Sequence, residues 1–132
     1  MESPYTKNAA TYSQDAKEAT LVAVHGDTFE AALDAFVEHP SPYVPGEVIR
    51  HYVDMSTLSW DSSITDGAQE IVGAFTIVDA PLEGNRIYLR LSAAETRSLT
   101  PGTYRYWLES LNLNTGVTRT WIRGTLTITE KP

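Results

Sequence analysis

The sequence contains no cysteine. Disulfides and thiolate metal sites are thereby excluded, and with them a secreted scaffold stapled by cross-links. Folding in a reducing cytoplasm is compatible with this composition. Cations are scarce: Lys and Arg total 10 against 17 Asp and Glu, a formal net charge of −7. Sequence-independent nucleic-acid binding needs a basic face that releases counterions, and no segment offers one. No apolar run approaches the length that spans a bilayer. The opening MESPYTKNAATYSQDA lacks the apolar core of a secretory signal. Neither a nucleic acid nor a membrane is an expected partner.

Chemistry-bearing patterns are equally thin. There is no Gly-x-Ser-x-Gly elbow and no Gly-Lys-Ser/Thr phosphate loop. His25, His39 and His51 are the only histidines, and no two sit at ligand spacing. Asp54, Asp61 and Asp66 share a polar region but lack the calcium-loop spacing and its terminal Glu. Glu70 and Glu109 flank or face strands, and nothing in the sequence makes them a glycosidase pair. No catalytic residue, metal or cofactor is expected, and the chain reads as a non-enzyme.

What is present is β-pattern. A chain of 132 residues is one domain, long enough to bury about two-thirds of its extended surface. Residues 1–16 are small, polar and aperiodic and read as a flexible N-terminal arm; residues 17–132 carry the domain. Ala19 to Val24 is a strand candidate ended by His25-Gly26-Asp27. Phe29, Ala31, Leu33, Ala35 and Val37 share one parity and Glu30, Asp34 and Glu38 the other, which is half-buried strand alternation. A helical stripe through Phe29, Leu33, Phe36 and Val37, capped by Thr28, competes with it. His39 to Glu47, with three prolines and a glycine, is a surface loop. Val48 to Met55 is a short strand, and Trp60 anchors the next with Leu58 and Ile64 in phase. Ile71 to Val78 is near-continuously apolar and reads as a central strand, with Gly73 marking a bulge or close contact. Ile87, Leu89 and Leu91 point one way, Tyr88 and Arg90 the other.

Around Leu91 to Tyr106 the chain is organised. Ser92 and Glu95 have capping-box spacing for one helical turn. Pro101-Gly102 is a tight corner. Tyr104 then lies just inside a strand, where its hydroxyl can return to backbone near Leu99 or Thr100 as a tyrosine corner. Strand Thr103 to Leu111 and strand Val117 to Thr129 form a hairpin around Asn112–Gly116. If that loop centres on Thr115, Trp107 faces Arg123 and Glu109 faces Trp121 on the outward side. Trp107, Trp121 and Arg123, with outward Tyr88, are the candidate interface, since Trp and Arg dominate binding hot spots. Exposed rings could instead stack on a sugar. The strands total seven or eight, and the expected fold is an all-β, immunoglobulin-like antiparallel β-sandwich.

LRLSAAETRSLTPGTYRYWLESLN followed by TGVTRTWIRGTLTITE resembles a pattern in small tailed-phage virion proteins. There, a "T-x-x-L-x-P-G-x-Y-x-Y" corner precedes a hairpin ending in "G-x-L-x-V/I". VHGDTFEAAL resembles that family's early turn and DMSTLSWDSSI its middle strand, so the likeness runs over about residues 20–130. Relatives include the N-terminal β-sandwich of phage baseplate upper proteins. The resemblance implies a structural virion subunit, assembled in the bacterial host cytoplasm, that contacts other phage structural proteins and copies of itself, a trimer among the options. The Pro-rich loop is longer than the pattern, and the chain stops at Pro132 where baseplate proteins continue. A stand-alone domain shifts the expected role to a head-decoration, neck or tail/baseplate accessory subunit. A carbohydrate-binding or host-adhesion module is the alternative.

Overall fold

A computed structural model describes residues 17–83 and 85–132; the arm expected at 1–16 lies outside the described residues. The fold is an immunoglobulin-like β-sandwich. Its larger sheet contains β1 (Lys17–Glu18), β2 (Leu21–Val24), β6 (Leu58–Thr65), β7 (Ile71–Gly73), β10 (Gly102–Asn112) and β11 (Thr118–Thr129). From one edge the order is β1 and β2, then β11, β10, β6 and β7. The smaller sheet orders β3 (Phe29–Asp34), β9 (Arg86–Leu91) and β8 (Thr76–Ala80). A separate ribbon pairs β4 (Phe36–Pro40) with β5 (Val48–Tyr52).

Alternation decides the faces. On β9, Ile87, Leu89 and Leu91 are buried while Arg86 and Arg90 are exposed. On β10, Tyr106, Leu108 and Ser110 turn inward and Arg105 and Leu111 outward. Phe29–Asp34 is a strand and not a helix: half-buried Phe29, Ala31 and Leu33 alternate with exposed Glu30, Ala32 and Asp34, and Glu30 and Asp34 lie opposite Arg90 and Arg86. Phe29, Phe75 and Tyr106 connect the two layers, with centroids 5.9 and 5.6 Å apart.

Three breaks raise the strand count above seven or eight. The first is at Ala19–Thr20, between two stretches that both run parallel to β11. A Cβ on Gly124 would run into the Ala19 carbonyl carbon at 2.9 Å, so only glycine admits this crossing. Tyr106 Oη donates to the same Ala19 carbonyl at 2.8 Å. The second is at Ala35, which is fully buried. Asn85, held at φ 60, donates its side-chain amide to the carbonyls of Ala35 (2.8 Å) and Val53 (2.6 Å). The third corrects the central strand expected over Ile71–Val78. That segment is two edge strands in different sheets, and the chain changes sheet at Ala74–Phe75. Ser62 Oγ makes the change possible: it accepts from the Phe75 amide (2.7 Å) and donates to the Phe75 carbonyl (3.2 Å). The loop expected over His39–Glu47 begins at Ser41, because β4 runs through Pro40.

At the organising corner, Ser92 caps α1 (Ala93–Ser98) with a full capping box to Glu95. Tyr104 Oη donates to the Thr100 carbonyl at 2.6 Å. Thr96, fully buried, ties the helix to the early turn: its hydroxyl donates to the Asp27 carbonyl (2.7 Å) and accepts from the Gly26 amide (3.1 Å).

Candidate functional site

The four residues read as one interface occupy three different places. Trp121 is the correction. Pairing of β10 with β11 is regular from Gly102–Ile128 to Leu108–Ile122, and then Glu109 pairs with Thr120. Trp121 is the extra residue of a β-bulge, so the parity of everything before it flips. Its side chain enters the interior and is 7% exposed. There its indole N–H donates to Ser110 Oγ at 2.8 Å, its ring lies 5.6 Å from Trp60, and the Arg119 guanidinium sits 3.7 Å above it. The Glu109–Trp121 facing is accordingly replaced by Glu109–Thr120.

Tyr88 sits on the outer face of the smaller sheet, away from the hairpin. Arg90 lies 5.0 Å from its ring and pairs with Glu30 at 2.6 Å. Arg86 is held above its ordinary pKa, first by the Tyr88 hydroxyl and then by Asp34. This surface is a cross-strand ladder of charge pairs around one tyrosine.

Trp107 and Arg123 do face each other, on the outer face of the larger sheet. Arg123 Nε turns to Glu18 at 3.1 Å, so β1 supplies its counterion. An open groove of about 1010 Å³ crosses β6, β10 and β11 here. Arg105, Trp107, Glu109, Thr120 and Arg123 line it, and Glu18 and Gln69 form its rims. Beneath it, burial pushes the Tyr106 hydroxyl up to about 12, with Glu18 adding to the effect.

A second surface escaped sequence reading. The ribbon pairs with neither sheet among the described residues. Val48 and Tyr52 share a face with Arg50, whose guanidinium lies 3.8 Å over Phe36, and Tyr43 and Val44 occupy the tip. Tyr43 is 89% exposed. Ser41 Oγ accepts from the amides of Tyr43 and Val44, both at 3.1 Å, which shapes the tip without burying it. The available signal was Tyr-Val between prolines, where an apolar pair sits in a turn.

The remaining polar candidates hold backbone. Asp54 caps the short turn Met55–Thr57, and its bonds to Ser56 lower its pKa. Asp61 accepts from Ser62, and Asp66 accepts from the amides of Ala68 and Glu70. His25 meets the Arg97 carbonyl at 3.0 Å. Among the described residues no three His, Asp or Glu gather where they could hold a metal ion. No described helix is long and apolar enough to cross a membrane.

No family model matches the chain, and no curated protein does. A solved structure of a family 123 glycoside hydrolase from Clostridium perfringens, studied for glycolipid glycan hydrolysis, is similar with a TM-score of 0.51 at 10% identity. The match covers 96% of this chain and 25% of that one, so the chain spans about a quarter of that enzyme's length. At this identity the likeness shows the fold alone.

Proposed function

We propose that this chain is a structural subunit of a tailed-phage virion, as head decoration, neck or tail accessory, and acts through protein–protein contacts without chemistry of its own. The β4–β5 ribbon is the observation that carries this reading. It stands outside both sheets and presents Tyr43, Val44, Val48 and Tyr52 to solvent. Grouped apolar side chains of this kind gain free energy only when a neighbour covers them. Tyrosine beside arginine is the composition of an interface core. The likeness of the corner and hairpin to virion sandwiches supplies the setting: other phage structural proteins, and further copies of the chain up to a trimer, in a particle built in the host cytoplasm. A shared sandwich does not transfer activity, since one fold hosts many functions.

The test is the double variant Tyr43→Ser, Val44→Ser. It is expected to fold with unchanged circular dichroism, sediment at monomer mass, and be missing from purified particles. Wild-type oligomer size together with normal incorporation would reject the reading.

A further inference from the structure

The groove over Trp107 differs in character from the ribbon, and its floor excludes most occupants. It lies across the middle of the larger sheet, where β6, β10 and β11 already pair with one another. No backbone ladder is open there, so an added peptide strand has nothing to join. Arg105 and Arg123 are balanced by Glu18 and Glu109, so the described lining of the groove is neutral within a chain of net charge −7. A phosphate backbone needs an excess of cations. What remains is one half-buried indole among two guanidiniums, two carboxylates and the hydroxyls of Thr65 and Thr120. That set suits a neutral, hydroxyl-rich ring with one apolar face.

Gln69 provides a second, independent observation. It stands on the groove rim at φ 62, a left-handed conformation that side chains rarely adopt. The turn is closed by the Gln69 amide donating to the Asp66 carbonyl (3.0 Å) and by the Ala68 and Glu70 amides donating to Asp66 Oδ1. None of those bonds uses the Gln69 side chain, and glycine would make the same turn without strain. An amide side chain kept there at a conformational cost points to use of the amide itself.

We propose that this groove binds a neutral oligosaccharide, with one pyranose ring on Trp107, hydroxyls held by Arg105, Glu109 and Arg123, and Gln69 closing over it from the rim. The inference is independent of the virion reading, because it concerns a different face and a different measurement. The probes are maltohexaose, cellohexaose and chitohexaose, with sialyllactose as the charged comparison, titrated into the labelled protein at millimolar concentration. At least one neutral probe is expected to shift the indole resonance of Trp107 and leave those of Trp60 and Trp121 in place. Trp107→Ala should weaken that binding by about tenfold or more, as removal of a central aromatic anchor does. Gln69→Gly should weaken it several-fold while melting at or above the wild-type temperature, a combination that a merely structural glutamine would not produce. The proposal is overturned if no neutral probe moves the Trp107 resonance, if Trp107→Ala binds as tightly as wild type, or if only sialyllactose binds.

Discussion

Ser110 gives two neighbouring indoles different fates. Trp121 donates to its hydroxyl, while the Trp60 N–H, buried in the same row, has no acceptor among the described residues. Trp121→Phe leaves Ser110 unpaired and should cost about 1–2 kcal/mol beyond the volume lost. Trp60→Phe deletes a donor that was already unsatisfied and should cost less; urea denaturation of the two variants orders them. Tyr106 supplies a pH test. An unfolded tyrosine titrates near pH ~10, and in the fold burial raises Tyr106 to about 12. A raised acid favours the folded state fully below pH ~10, and that contribution is lost as pH climbs toward the folded value. Thermal melts of the wild type should therefore fall across this alkaline window, and Tyr106→Phe should flatten the fall. At neutral pH the same variant forfeits the bond to Ala19, at about 1 kcal/mol.

At the scale of elements, local chemistry was legible and long-range chemistry was not. The capping box at Ser92 and the hydroxyl return of Tyr104 each close within five residues, so spacing alone reveals them. The alternation of Phe29–Asp34 could be read because one face meets the core. Trp121 could not be placed, because a bulge adds a residue without a compositional mark and inverts parity beyond it. Ile71–Val78 misled for a related reason. Its apolar run crosses from one sheet to the other, with Ile71 and Val72 exposed on one edge strand and Ile77 and Val78 half-buried on the next, and the division depends on Ser62, nine residues upstream of Ile71. The groove was half legible: Trp107 and Arg123 follow from hairpin register, whereas Glu18 and Gln69 arrive from distant segments. Two substitutions probe such long-range ties. Gly124→Ala places a methyl against the Ala19 carbonyl and should cost about 1–3 kcal/mol, with hydrogen exchange accelerating first at the amides of β2. Thr96→Val strips partners from the Gly26 amide and the Asp27 carbonyl and should cost about 2 kcal/mol, visible as a lowered melting temperature.

For the molecule as a whole, the ribbon is a two-stranded unit paired with neither sheet among the described residues. The Val53 amide bonds to the Ala35 carbonyl at 3.1 Å, so the chain returns to the point where the ribbon departs. Phe36 and Tyr52 pair at its base. Replacing residues 37–51 with Asn-Gly, a two-residue hairpin turn, should leave a cooperatively melting sandwich by calorimetry. Under the proposed role of the ribbon as the contact between copies, the same deletion should leave the chain sedimenting at monomer mass. Loss of cooperative melting would show that the ribbon belongs to the core.

The parallel placement of β2 against β11 has a mechanical consequence. Lys17–Val24 runs alongside Ile122–Thr129 in the same direction, so Lys17 and Thr129 lie at opposite ends of the paired stretch. Tension applied between those ends is directed along the strands and loads the linking bonds in shear. Bonds stressed side by side must yield together, whereas those of a hairpin pulled from its open end unzip in turn. A domain strung this way resists stretching more than its modest size implies.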